Sequence, residues 1–241
     1  MNDKSLPKRI FGVVKQILLV PLIFILYNVL VTIVFRVIDP ASTAFIYQNI
    51  ENPIGSLFSS ADIKYKPVSI ENVSFYLPLA VIASEDQKFF DHFGFDFEQI
   101  EKAMKENTYR KRKRGASTVS MQVAKNLFLW SERNLIRKGF EAYYTLLLEL
   151  LWSKKRIIET YLNIAEMGKG IYGASSASNF HFKKSPSKLT IAESATIAAI
   201  LPNPKKRNPA KPSGYIISRR DDIIRQMNLL GGKSYLIQEF K

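Results

Sequence analysis

A chain of 241 residues with 46% hydrophobic and 12% aromatic side chains has a globular composition and the length for one good-sized domain plus an appendage. It holds no cysteine, which excludes disulfides and thiolate metal sites, and its two histidines, His92 and His181, lie far apart, which argues against a zinc enzyme. A formal charge of +14 requires an anionic partner: nucleic acid, an anionic membrane surface or a phosphate-bearing substrate.

Residues Ile17 to Phe35 carry no charged side chain, about the span a hydrocarbon core requires of a helix. Pro21 and Asn28 interrupt the run, and membrane helices tolerate both. Lys4, Lys8, Arg9 and Lys15 precede it against Asp3 alone, and Arg36 is the only basic residue shortly after it. The positive-inside rule therefore puts the N-terminus in the cytoplasm and the bulk of the chain beyond the inner membrane. A cleaved signal peptide, with Ala41-Ser42-Thr43-Ala44 near the cut, is the competing reading. The run is long for a signal sequence, so a retained anchor is expected. Translocation of the bulk would remove nucleic acid as a partner.

The expected organisation is a tail and anchor over 1–36, a linker and lead-in over 37–66, and a domain over 67–241. Asp39 to Lys66 has no sustained period and is punctuated by Pro40, Pro53 and Gly55, with room for a short strand. The apolar run Leu77 to Ala83 reads as a core helix that delivers two carboxylates, Glu85 and Asp86. A carboxylate at the end of a buried segment is partly desolvated, which raises its pKa towards general acid or base work. Local capping or pairing is the alternative.

Phe97 to Asn107 reads as a short amphipathic helix. The five cations Arg110 to Arg114 follow, a solvated loop or a contact for lipid headgroups or a substrate phosphate. Gly115-Ala116-Ser117-Thr118 opens a helix with Ser117 or Thr118 as its cap. Gln122 and Lys125, three residues apart, project from one face of it, and its start is a plausible anion site. Solvent exposure explains both side chains equally well.

The next predicted helix, Arg133 to Trp152, has an apolar stripe of Ile136, Phe140, Leu147 and Leu151. Arg133, Arg137 and Glu141 recur on another side, with Lys138 three residues before Glu141. Intrahelical pairing would explain these charges, but Arg ahead of Glu is the less favourable order, which favours a polyanion site. Lys154 to Ala165 is a further helix, and Gly168 to Gly173 a structural turn. Thr190 to Glu193 forms a capping box that accounts for Glu193 without catalysis. A last helix, Tyr215 to Leu230, ends at Gly231-Gly232.

Read in order, Glu85-Asp86…His92-x-Gly94, Gly115-Ala116-Ser117-Thr118…Gln122…Lys125-Asn126 and Arg137-Lys138-x-x-Glu141 resemble the motifs of peptidoglycan glycosyltransferases. Tyr161-Leu162-Asn163 and Glu193…Leu201-Pro202-Asn203-Pro204 extend the likeness. These are the lysozyme-like polymerase domains of bifunctional penicillin-binding proteins, and the likeness covers about Leu77 to Pro209. No transpeptidase domain could fit after it, so the resemblance is to the monofunctional biosynthetic branch, the peptidoglycan transglycosylases.

The resemblance implies a mainly α, lysozyme-like domain in the periplasm behind one transmembrane helix. It implies polymerisation of lipid II into a growing lipid-linked glycan strand, with inversion and release of undecaprenyl pyrophosphate. Glu85 matches the catalytic base and Glu141 the second catalytic glutamate, near the leaving group. Lys125, Arg133 and Lys138 match cations that hold the donor pyrophosphate; Arg137 stands in the same motif. Ser117 and Gln122 match polar donor-site positions. Asp86, His92, Gly94 and Asn126 match supporting positions. The family usually has paired glutamines after its Ser-Thr, and here the first is Met121. No cofactor is required by this reading, though a divalent cation, Mg or Mn, could assist the pyrophosphate. Membrane lipids and proteins of cell-wall synthesis or division are the other partners it implies, and nucleic acid is not one.

Two rivals stand beside it. A lysozyme-type glycan hydrolase would use Glu85 and Glu141 as an acid and base pair, but it would have no need of Lys125, Arg133 and Lys138. A non-catalytic membrane-anchored scaffold would bind headgroups through the run from Arg110 to Arg114.

Overall fold

The computed structural model describes residues 5–48, 64–110, 114–132 and 134–240, with backbone alone for 5–15 and 18. The chain divides into two units, 1–39 and 40–241. The first holds α1 (Ser5–Val37), whose Leu19–Val37 portion, of mean hydropathy 2.2, is the one described span long and apolar enough to cross a membrane. Val20, Leu22, Ile23, Leu26 and Leu30 are exposed along it, which suits lipid better than water and fits a single-pass anchor. Two of its polar side chains are satisfied internally, as hydrocarbon demands: Asn28 Nδ2 donates to the Phe24 carbonyl and Thr32 Oγ1 to the Asn28 carbonyl, both at 2.7 Å. The helix already begins at Ser5, so Lys8, Arg9 and Lys15 lie within it and not in a separate tail.

The second unit is mainly helical. It runs α2 (Ala44–Gln48), β1 (Lys64–Tyr65), α3 (Tyr76–Glu85), α4 (Phe97–Asn107), α5 (Val119–Phe128), α6 (Leu135–Leu151), α7 (Lys154–Ile164), β2 (Ile171–Tyr172), α8 (Gly173–Ala177), α9 (Ile191–Ile200), α10 (Gly214–Leu229) and α11 (Gly232–Glu239). The core is organised around α3, in which every residue from Leu77 to Ala83 is buried. Helices α9, α10, α11 and α7 pack against it. α9 is equally apolar, with Ser194 to Ile200 all buried. Between them these two short helices place Glu85 where a core helix ends.

The lead-in is more structured than its sequence suggests. A helix, α2, stands where only linker and strand are expected, and β1 pairs in parallel with β2, Lys64 opposite Ile171 and Tyr65 opposite Tyr172. The Gly168 to Gly173 stretch thus contains a strand as well as a turn. Its structural role is nonetheless clear at Gly173, which has φ +79 and where a Cβ would stand 2.3 Å from the Asn163 carbonyl oxygen. Asn163 also clips the segment before α3, accepting from Val68 N and donating to the Val68 carbonyl, each at 3.0 Å.

At the C-terminus the sequence signals mislead. Gly231 does turn the chain with φ +101, but a further helix, α11, follows it. Tyr235 and Phe240 hold that helix by packing edge-on against Phe90 at ring distances of 5.6 and 5.9 Å, contacts that no local signal reports.

α6 corrects a second expectation. Its buried positions are Arg137, Glu141, Tyr144, Thr145, Leu148 and Glu149. Ile136, expected in the core stripe, is 70% exposed and Leu135 is 89% exposed. The charged stripe faces inward because its charges meet one another there, which is the condition for burying them. Asn134 caps the helix by accepting from Arg137 N at 2.8 Å, so the helix starts at Leu135; Arg133 lies outside the described residues.

The capping box at α9 forms as the sequence predicts, with Thr190 accepting from Glu193 N and Glu193 from Thr190 N. Lys184 adds an ion pair at 2.6 Å. Although burial pushes the Glu193 carboxyl up, Lys184 and the cap hold it below its ordinary value. Glu193→Ala is expected to lower stability by about 0.5–2 kcal/mol, the usual worth of a cap, in chemical denaturation, with the catalytic rate unchanged.

Candidate active site

Glu85 is the last residue of α3. Burial around its carboxyl raises its pKa above the ordinary value, opposed by a hydrogen bond from Gln122 and by the charge of Arg219. Gln122 Nε2 donates to Glu85 Oε2 at 3.0 Å, and the Tyr161 hydroxyl donates to Gln122 Oε1 at 3.3 Å. Three helices, α3, α5 and α7, thus fix the orientation of one carboxylate. Tyr161 is fully buried, and burial together with the Glu85 charge pushes its hydroxyl pKa well above the usual value. It therefore stays protonated and can only donate to the amide that in turn donates to Glu85.

Asp86 turns away from Glu85. One carboxylate oxygen receives Val119 N at 2.9 Å and the other meets His92 Nε2 at 2.9 Å. The start of α5, which the sequence marks as an anion site, therefore holds an anion supplied by the chain itself. Thr118, and not Ser117, is the cap of α5, accepting from Met121 N at 3.2 Å while its hydroxyl donates to the Gly94 carbonyl at 2.6 Å. Ser117 is exposed just ahead of the helix.

Gly94 connects this segment to α6. It has φ +78, and a Cβ there would come within 2.7 Å of Thr145 Cγ2 and 3.0 Å of Glu149 Cγ. Only glycine permits that approach. Thr145 Oγ1 in turn donates to the Glu141 carbonyl at 2.6 Å. The segment from Asp86 to Gly94 thereby ties the Glu85 end of α3 to the turn of α6 that carries Glu141.

Glu141 is 2% exposed and receives two cations. Arg137 Nη1 donates to Oε2 and Lys138 Nζ to Oε1, each at 2.5 Å. The intrahelical pairing that the residue order disfavours is thus what forms, and burial explains why: the pair gains in a dry site what its order loses on a wet surface. Arg137 is itself buried, whereas the Lys138 side chain is 46% exposed. Lys125 is half-buried, with its Nζ 5.6 Å from the Phe45 ring centroid of α2. Asn126 is buried behind it on α5.

Three residues of the site carry no signal that singles them out in the sequence. Glu149 Oε1 receives Ser120 Oγ at 2.5 Å and Lys154 Nζ at 2.9 Å, and Lys154 Nζ also donates to the His92 carbonyl at 2.7 Å. This buried knot joins α5, α6, α7 and the His92 loop. The only hint was a Glu and a Lys on either side of the helix break at Trp152-Ser153. Of the basic run, Arg110 and Arg114 both pair with Glu106 of α4 at 2.9 Å, while residues 111–113 lie outside the described residues.

The arrangement combines a recessed carboxylate of raised pKa with a second carboxylate held by cations, which suits proton transfer beside an anionic group. A family model described as Transglycosylase matches residues 51–228. The biosynthetic peptidoglycan transglycosylase of Bacteroides thetaiotaomicron is 57% identical over 69% of this chain and 67% of its own. One from a Marinomonas species is 46% identical over 93% and 95%, and one from Xanthomonas campestris is 42% identical over 98% and 97%. The chain therefore belongs to the transglycosylase family. It is a glycosyltransferase, mainly α and lysozyme-like, behind one apolar N-terminal helix.

Proposed function

We propose that this enzyme polymerises peptidoglycan glycan strands from lipid II. Glu85 takes the proton from the 4-hydroxyl of the incoming N-acetylglucosamine. The freed oxygen pair attacks C1 of the N-acetylmuramic acid at the reducing end of the growing strand, with inversion. The bond from C1 to the phosphate oxygen breaks, its electrons leave with undecaprenyl pyrophosphate, and the proton remains on Glu85. The observation that carries this reading is the Glu85 carboxyl itself: recessed, raised in pKa by burial and oriented by Gln122.

Lys125, Arg133 and Lys138 are assigned to the donor pyrophosphate, whose negative charge grows as the glycosidic bond breaks. Lys138 is exposed enough to meet a phosphate while holding Glu141. Arg137 is too buried for that and is assigned to positioning Glu141 near the leaving group. Gln122 serves as the clamp on the base, with Ser117 left as a polar contact for the donor. Among the described residues no three His, Asp or Glu side chains gather to hold a metal ion. The leaving group is assigned to these side-chain cations, and a Mg or Mn ion bound to the pyrophosphate could assist them. The basic residues Lys4, Lys8, Arg9 and Lys15 ahead of the apolar run support an N-terminus in the cytoplasm and an enzyme domain in the periplasm, where lipid II would be consumed.

Incubation with purified lipid II tests the assignment: growth of a glycan ladder with release of undecaprenyl pyrophosphate is expected, and cleavage of preformed glycan instead would establish the hydrolase. Lys138→Ala is expected to lower kcat/KM for lipid II about tenfold or more, the loss of one charge-assisted contact to a phosphate, and to lower the melting temperature modestly, since buried Glu141 loses one of its two cations and keeps Arg137.

A further inference from the structure

The residues assigned above leave one cation beside Glu85 without a role. Arg219, on α10, is half-buried and donates from Nη2 to the Ser84 carbonyl at 3.4 Å. Two turns further along the same helix, Gln226 Oε1 accepts from Gln87 Nε2 at 3.3 Å. These two contacts bracket Glu85 and Asp86, so α10 grips the chain on both sides of the proposed base.

The Ser84 carbonyl belongs to the last turn of α3, where carbonyls have no partner within the helix. That end of a helix is also its negative end. Glu85 therefore places a carboxylate where the helix dipole, the neighbouring Asp86 and burial all oppose ionisation, and Asp86 and burial are both felt at its carboxyl. The groups that face it are Ser84 and Asp86 from its own chain end, Gln122 from α5, Tyr161 from α7 and Arg219 from α10. Of these Arg219 is the cation.

We propose that Arg219 is a positioning residue for the base: it closes the open end of α3 and supplies the counter-charge that keeps Glu85 ionised in its recessed site. The inference rests on Glu85 being the base of the polymerisation proposed above. Too little desolvation would leave a weak base, and too much a protonated one. Arg219 sets the balance, and hence the lower edge of the working pH range. Loss of its charge must raise the Glu85 pKa, so the acid limb of the rate profile must move to higher pH.

The test is the pH dependence of kcat/KM for lipid II in the full-length enzyme, with Arg220→Gln as a neighbouring control, since Arg220 pairs with Asp221 on the same helix. Arg219→Gln is expected to move the acid limb up by about one pH unit, the effect of removing an opposite charge from beside a carboxylate. Arg219→Lys is expected to keep the limb near its wild-type position while lowering the rate several-fold, since a lysine keeps the charge but lacks the guanidinium fork. A residue that only stabilised the fold would lower the rate at every pH and leave the limb in place. An unmoved limb in Arg219→Gln, or a limb displaced in Arg219→Lys as well, overturns the proposal. Should Arg219→Gln not fold, Arg219→Met takes its place as the charge-removing variant, with the same upward displacement of the limb expected and an unmoved limb overturning the proposal. Absence of polymerisation by the wild-type enzyme would instead refute the reading of the enzyme's function, which keeps the two failures apart.

Discussion

Glu85→Gln is expected to abolish polymerisation, lowering kcat by about 10³-fold or more, at the upper part of what a general base contributes, while the protein folds and enters the membrane normally. The substitution keeps the shape and leaves an amide oxygen to accept from Gln122, so orientation survives and proton removal does not. Its effect on stability can be signed. Burial raises the Glu85 pKa in the folded protein above its unfolded value, so between the two values the folded state binds more protons than the unfolded one. Stability therefore falls as pH rises through that window, and the ionised carboxylate is a net burden at neutral pH. Glu85→Gln removes the burden, and its melting temperature at pH 7 is expected to equal or exceed that of the wild type. A variant that retained its rate would exclude Glu85 as the base; one that lost both rate and melting temperature would mark it as structural.

The same carboxylate shows where sequence patterns reach and where they stop. A desolvated glutamate at the end of an apolar helix was readable because Leu77 to Ala83 are contiguous and need no tertiary partner to be recognised. The limits of α4 and the Thr190 capping box were readable for a similar reason: caps act over three or four residues. The clamp from Gln122 was not, because it joins positions 37 residues apart, and nothing in the spacing of either motif requires it. Asp86 shows an intermediate case. A supporting role was what the family resemblance implied for it, but its docking on the start of α5 needs the fold.

The buried face of α6 failed for a different reason. Apolar periodicity identifies a core face only when the polar residues opposite can be hydrated. Here Arg137, Lys138 and Glu141 neutralise one another, and Glu149 is neutralised by Lys154 and accepts a hydrogen bond from Ser120. Charges paired in this way can be buried, and the exposed Leu135 and Ile136 are left on the opposite side. The expected apolar stripe is thus only partly buried, with Ile136 exposed and Phe140, Leu147 and Leu151 half-buried. The charged side joins Tyr144 and Leu148 inside, and a functional site is where such a departure belongs.

Asp86→Ala is the other large effect, and it separates positioning from chemistry. The carboxylate is almost fully buried and is the shared partner of Val119 N and His92 Nε2. Truncation leaves both donors buried without an acceptor, a loss of about 3 kcal/mol or more by the worth of buried charge-assisted pairs. α5 loses the anion at its N-terminus, and with it the strut that sets Gln122 against Glu85. A shift of about 1 Å in such a contact costs on the order of 10²-fold in rate. Asp86→Ala is therefore expected to lower melting temperature and kcat together, and Asp86→Asn, which still offers an oxygen to Val119 N, to recover most of the stability. That pairing of losses is the opposite of the Glu85→Gln pattern, in which the rate falls and the fold does not. Thermal unfolding and lipid II turnover measured on both variants distinguish the two roles. An Asp86→Ala protein that melts like the wild type but cannot polymerise would move Asp86 from the support of the base into the reaction itself.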